Sequence, residues 1–361
     1  MVKYMFYVVG ILFFIFFMFL TLAFYKYLYK LCEKLKIKIN KNILCVISII
    51  IFYGSLVVGM MNKYVSVLLI FIFYLLLGYL VVMLFYKLLK KYKWFMKYYL
   101  LIPAVFSFVF VVYGIYNIYD IRSNSYNISS NDKLSHKYKG ILITDLHYGL
   151  ALKGEGLQKV VDEVNELNPD FVFLVGDIVD ESTTLDGMKE CFEILGKFKT
   201  NYGIFYSYGN HDENIYSNEK NYSKETLRNN IIGNGINILE DSSYRINDEL
   251  TIIGRSNGYK KSMSELVSSV NNDDYKIVLA HIPMDYQNVK DSGVDLVLSG
   301  HTHAGQIFPA ELFQEIFKTS DMVFGYEKDG NFNKVVTSGI AGWEIPIRTD
   351  HHSEYVILNI K

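Results

Sequence analysis

The chain has 361 residues, 51% of them hydrophobic and 16% aromatic, and a net charge of −1 at pH 7. That length allows two or three domains, and a near-neutral balance with no basic stripe in the polar half excludes a nucleic-acid-binding protein. Of three cysteines, Cys32, Cys45 and Cys191, only the last lies in the polar half, which excludes a disulfide framework or a thiolate metal site there.

Nearly all long apolar runs precede Asp120. Four carry no charged residue: Tyr4–Tyr25, Asn42–Asn62, Tyr64–Tyr86 and Tyr98–Tyr119. Each can cross a hydrocarbon core as a helix, which takes about 20 residues, and none shows the polar stripe of a soluble core helix. The first run is too long for a cleaved signal peptide and is followed by Lys26 and Lys30 rather than small residues. Residues 1–119 therefore read as a four-helix transmembrane anchor. Tyrosines at the segment ends (Tyr25, Tyr86, Tyr98, Tyr119) read either as an interfacial belt or as a reflection of the chain's 30 tyrosines. Six lysines fall between Lys26 and Lys41 and five between Lys87 and Lys97, whereas the other side carries only Lys3, Lys63 and Arg122. The positive-inside rule puts the lysine-rich loops in the cytoplasm and everything after the fourth helix outside. The prediction is a multi-pass cell-membrane protein with an extracytoplasmic polar half. No ionisable residue interrupts the helices, so anchoring is favoured over transport. Residues 120–138, rich in Ser and Asn, read as a flexible tether.

From residue 139 onward strands and helices alternate. Ile141–Thr144 is an apolar strand, and Leu157, Val160, Val161, Val164 and Leu167 keep helical spacing after it. Asn168-Pro169 ends that helix. A strand at Phe171–Val175, a helix at Leu185–Phe198 and a strand at Gly203–Tyr208 follow, with later strands at 250–253, 276–280, 295–298, 334–337 and 355–359. Apolar runs alternating with helices predict a layered α/β domain over 139–361.

Five clusters stand at the carboxyl ends of these strands: Asp145-Leu146-His147, Gly176-Asp177, Gly209-Asn210-His211-Asp212, Ala280-His281 and Gly300-His301-Thr302-His303. Ligands of open α/β sheets bind at that edge. Five of the eight histidines fall in these clusters, and carboxylates with imidazoles but no thiolates suit divalent Mn, Fe or Zn. Taken singly, the residues have plainer readings. Asp145 or Asp177 alone is a helix N-cap, His281 a satisfied core histidine, and Asn210 a turn residue. Asp180 and Glu181 read as a solvated helix start, and His351 and His352 as a surface loop.

The order Asp-x-His, Gly-Asp, Gly-Asn-His-Asp, His, Gly-His-x-His resembles the calcineurin-like metallophosphoesterase superfamily. The run Gly300–Ile307 and the element Pro346-Ile347-Arg348 resemble its bacterial membrane-anchored branch. The resemblance implies a calcineurin-like sheet sandwich flanked by helices, and two divalent ions. It gives Asp145, His147 and His303 to one ion and Asn210, His281 and His301 to the other, with Asp177 bridging both. It implies that His211 acts as an acid or oxyanion stabiliser oriented by Asp212. Arg348 reads either as a contact to substrate phosphate or as an exposed charge. The expected activity is hydrolysis of a phosphate ester or anhydride, including phosphodiesters, on a phosphorylated substrate of lipid-linked or nucleotide type, with manganese among the candidate metals and the lipid bilayer as partner. The alternative is a non-catalytic membrane sensor or scaffold that keeps the fold.

Overall fold

Helix and strand formation follow the hydropathy pattern closely in a computed structural model, which describes residues 2–213, 216, 221–257 and 260–361, with side chains from 17 onward except 60, 61 and 63. The chain forms two compact units, Met1–Gly114 and Ile115–Lys361.

The first unit is helical: α1 (Val2–Lys34), α2 (Lys41–Met61), α3 (Lys63–Leu89), α4 (Lys93–Tyr98) and most of α5 (Leu101–Asn117). Asn40 and Asn62 start α2 and α3, their side chains accepting from the backbone N–H of Asn42 and Tyr64, as N-caps do. Leu20, Phe24, Tyr27, Phe52, Ile72, Leu76 and Tyr79 form an inner cluster, and the Tyr27 hydroxyl donates to the Leu100 carbonyl at 2.9 Å. Two stretches, Lys41–Gly59 and Tyr64–Leu89, are long and apolar enough to cross a membrane. The four predicted spans thus reduce to two that meet this test among the described residues. The fourth becomes short α4 followed by the 17-residue α5. The first forms α1, but its side chains up to residue 16 lie outside the described residues.

The second unit continues with β1 (Ile121–Ile128), β2 (Tyr138–Ile143), α6 (Glu155–Glu166), β3 (Phe171–Val175), α7 (Leu185–Leu195), β4 (Gly203–Ser207), α8 (Lys224–Gly233), β5 (Ile236–Ile238), β6 (Ser242–Arg245) and β7 (Leu250–Gly254). It ends with α9 (Met263–Val267), β8 (Tyr275–Leu279), α10 (Tyr286–Asp291), β9 (Leu296–Ser299), α11 (Ala310–Phe317), β10 (Gly325–Asp329), β11 (Phe332–Val336) and β12 (Ser353–Ile360). One sheet has the order β1-β12-β2-β3-β4-β5 and the other β10-β11-β9-β8-β7-β6. Phe171, Phe173 and Phe205 of the first sheet pack with Ile252, Ile277, Leu279 and Leu298 of the second, so the two sheets face each other. Their outer faces are covered by α6 and α7 on one side and by α9 and α10 on the other. The parallel strands are buried on both faces, which is why they read as continuous apolar runs.

The predicted tether is corrected. Ile121–Ile128 pairs in parallel with β12, Ile121 opposite Ser353 and Ile128 opposite Ile360. The ladder uses backbone groups, so Ser and Asn do not prevent it. Ile128 is buried, and Tyr126 meets Tyr326 with ring centroids 5.6 Å apart. This polar strand covers the edge that β12 would otherwise expose.

Candidate metal centre

β2, β3 and β4 run parallel in one sheet, and β8 and β9 in the other, so five loops leave the carboxyl ends of their strands on one rim. In those loops Asp145 (φ 53°), His147 (41°), Asp177 (52°), His301 (72°) and His303 (52°) all adopt the left-handed conformation. That conformation strains a non-glycine residue and concentrates where function demands it. Neighbouring glycines make room. A Cβ at Gly209 would run into the Asp177 carboxylate, and one at Gly300 into that of Asp145.

The loops assemble two groups. Asp145, His147 and His303 form one and Asp177, His281 and His301 the other, the ligand-type atoms of each lying within 4.8 Å of one another. Asp177 stands between them, with Oδ2 2.9 Å from His281 Nε2 and 4.0 Å from His147 Nε2. Asp145 Oδ1 is 3.4 Å from His303 Nε2 and 3.9 Å from His281 Nε2. Asn210 and His211 line the same cleft, whose volume is about 750 Å³.

These residues fit metal ions. His147 Nε2, His303 Nδ1 and Asn210 Oδ1 are buried without a hydrogen-bond partner. Each such orphan costs roughly 1–3 kcal/mol; His303 and Asn210 line the cleft and His147 is grouped with His303, so bound ions would supply partners here. The donor set of imidazoles, carboxylates and one amide oxygen suits borderline or hard divalent cations. Electrostatics agree. Burial opposes charge on His281, yet Asp177 and Asp145 raise it to about 10, so a proton is drawn to where a cation would balance them. Burial alone would raise Asp177, but His281 and His147 hold it far below the usual carboxylate range. Burial keeps His303 well below its ordinary value and so in the neutral, ligating form.

The outer contacts aim these rings. His281 Nδ1 is bonded to the Val175 carbonyl at 2.9 Å, and His147 Nδ1 to Asp180 Oδ2 at 3.2 Å. Metal-binding imidazoles are oriented in this manner. Asp180 and Glu181, expected as a solvated helix start, are instead part of the site. Glu181 Oε2 lies 2.8 Å from His211 Nδ1. The expected role of Asp212 is corrected accordingly. Its carboxylate accepts from the backbone N–H groups of Asp177 and Gly209 at 2.7 Å and of Ile178 and Val179 at 3.0 Å. Burial and the nearby Asp177 push it up to about 6. Asp212 fastens the loops after β3 and β4, and Glu181 orients His211. Glu181→Gln should lower turnover roughly 10-fold with little change in melting temperature, whereas Asp212→Asn should cost roughly 3 kcal/mol of stability. Thermal unfolding measured beside kinetics separates the two.

Arg348 is also corrected. It is wholly buried and donates to the carbonyls of His303 (3.0 Å), Ser338 (2.8 Å) and Ala341 (2.7 Å). It braces the backbone behind His303 and is not among the residues lining the cleft. Tyr216 and Trp343, which the sequence reading gave no role in the site, line the cleft with ring centroids 5.1 and 5.2 Å from His211. His351 and His352 lie elsewhere and are half-buried. His351 Nε2 pairs with Glu311 at 2.8 Å.

A family model described as calcineurin-like phosphoesterase matches residues 138–305. An uncharacterized metallophosphoesterase of Helicobacter pylori is 34% identical over 238 residues, covering 63% of this chain and 61% of that one. Another, of Campylobacter jejuni, is 30% identical over 276 residues, covering 73% and 72%. A transmembrane protein with metallophosphoesterase domain from Danio rerio is 29% identical over 251 residues, covering 64% and 55%. Among solved structures, a dimetal phosphatase from Danio rerio aligns over 60% of this chain and 90% of its own, at 12% identity and a TM-score of 0.36. The chain spans about three fifths of the Helicobacter pylori relative's length. It belongs to the calcineurin-like phosphoesterase family.

Proposed function

Proceeding from that membership, we propose that the chain is a membrane-anchored phosphoesterase that hydrolyses a phosphate ester or anhydride with two divalent ions, Mn, Fe or Zn. The carrying observation is the assembly of two groups of imidazoles and carboxylates, Asp145-His147-His303 and Asp177-His281-His301, with His147, His303 and Asn210 each keeping a buried polar atom without a hydrogen-bond partner. Asp145, His147 and His303 would hold one ion, Asn210, His281 and His301 the other, and Asp177 both. Two such ions supply charge for the phosphoryl oxygens and lower the pKa of the attacking water. Water adds across the P–O bond, so phosphorus gains the attacking oxygen and the leaving alcohol needs a proton. His211 is placed to provide it. Glu181 holds Nδ1, and the ring lines the cleft, leaving Nε2 to approach the leaving oxygen. Chelation should abolish hydrolysis of nitrophenyl phosphate esters by the purified full chain, and added Mn should restore it. Chelation-resistant hydrolysis would refute the metal-dependent reading.

The anchor reading rests on the outward side chains of the first unit. In the most apolar 18-residue stretch of each of its two membrane-length helices only 28% and 33% of residues are buried, whereas core helices of a soluble protein are mostly buried. Ile50 and Leu84 are 63% and 78% exposed. The Danio rerio relative's name gives the same combination of anchor and domain. With the shorter apolar helix α5 taken as a further crossing, the lysine asymmetry would orient residues 115–361 outside the cytoplasm. Protease added to intact spheroplasts should digest that unit, and its survival there, with cleavage in inverted vesicles, would reverse the topology.

A further inference from the structure

α11 is an amphipathic helix turned inside out. Leu312, Phe313, Ile316 and Phe317 share one face by helical spacing and are 51%, 52%, 61% and 71% exposed. No residue of the helix is buried. A helix of a globular domain turns that face to the core. Here the opposite side is the one engaged, with Gln314 lining the cleft and donating to the Thr302 carbonyl at 3.3 Å. Phe313 and Phe317 stack with centroids 6.3 Å apart, and Trp343, also exposed, stands at the cleft beside His211. A contiguous apolar patch at the mouth of a polar cleft marks a surface of interaction.

Chain connectivity indicates what covers it. Asn117, the last residue of apolar α5, donates through Nδ2 to the carbonyls of Arg348 and His351, and its Oδ1 meets the His352 ring. The Ser353 hydroxyl donates to the Ile118 carbonyl at 2.9 Å. His351 in turn holds Glu311 in the first turn of α11. The chain therefore leaves an apolar helix at the same loop that fastens α11. A chain with two membrane-length helices keeps a bilayer close at hand, and aromatic residues favour its interfacial layer.

We propose that the α11 face and Trp343 lie in the bilayer interface and that the cleft draws its substrate from there. The substrate class is an amphiphile with a phosphate ester in its headgroup. The headgroup reaches His211 and Asp177 while the acyl portion stays against Phe313 and Phe317. The substrate class rests on the hydrolase reading, whereas the surface does not.

The test separates the two. The full chain, with Trp94→Phe and Trp343→Phe to remove both native tryptophans and Phe317→Trp as the reporter, is reconstituted into phosphatidylcholine vesicles with plain or brominated acyl chains. Bromine should quench the reporter, and should not quench one placed by Tyr202→Trp, before β4 at the edge opposite the cleft. Equal emission in both vesicles overturns the surface, and cross-linking through position 317 would then reveal a second copy as its occupant. In parallel, nitrophenyl phosphate diesters bearing a methyl or a hexadecyl group are compared. Wild type should favour the hexadecyl ester in kcat/KM, and Phe313→Asp with Phe317→Asp should cut that preference at least about tenfold, the minimum expected for losing a buried Phe, leaving the methyl ester unchanged. Equal loss on both esters overturns the lipid role. Turnover of neither ester counts against the hydrolase reading and leaves the surface to be decided by the quenching.

Discussion

Asp177→Asn should reduce kcat on the order of 10³-fold, the scale of removing a central electrostatic contact from a reacting site, and should deplete both metal positions together. The substitution keeps the shape and removes the charge. Asp177 Oδ2 faces both groups, with His281 at 2.9 Å and His147 at 4.0 Å. Its other oxygen accepts from the His211 backbone N–H at 2.8 Å, so neutralising it also loosens the loop after β4. Asn210→Ala serves as the contrast, because it removes one ligand atom from one group and should weaken mainly one ion. An Asp177→Asn protein that retains two ions and normal turnover would remove Asp177 from the bridging position.

His211→Ala or His211→Asn should keep metal content and lower kcat roughly 10²–10⁴-fold, as for a lost general acid. Its nitrogen nearest protein is taken by Glu181, and its ring stands between Tyr216 and Trp343 at the cleft. A proton donor to the leaving oxygen acts as the transition state forms. The defect should therefore shrink for nitrophenolate, which leaves without protonation, and grow for alkoxides. Near-normal turnover on an alkyl ester would make His211 a packing residue. Loss of metal with activity would make it a ligand.

The parts legible in the sequence were those where one residue answers to one physical demand. Phe171–Val175 read as a buried parallel strand because both its faces are covered, and Asp177 followed it because ligands gather where such strands end. Asn168-Pro169 ended α6 as expected, with Asn168 at φ 49°. What escaped depends on partners distant in sequence. Glu181 acquires its role only through His211, 30 residues away, and Asp212 through the amides of Asp177 to Val179. Two acids closely following Gly176-Asp177 were the available signal. Arg348 was misread because a loop guanidinium has no periodicity to reveal burial. Its three carbonyl partners come from residues 303, 338 and 341. β1 was missed because a strand covering a sheet edge can be polar, and α11 because its apolar spacing is that of an ordinary core-facing helix.

Metal stoichiometry decides the central claim most directly. The full chain, purified in detergent, stripped of metal, loaded with Mn and passed through a desalting column, should hold about two ions per chain by elemental analysis, as a two-metal phosphoesterase requires. Fewer than about one per chain after loading would contradict a dinuclear centre.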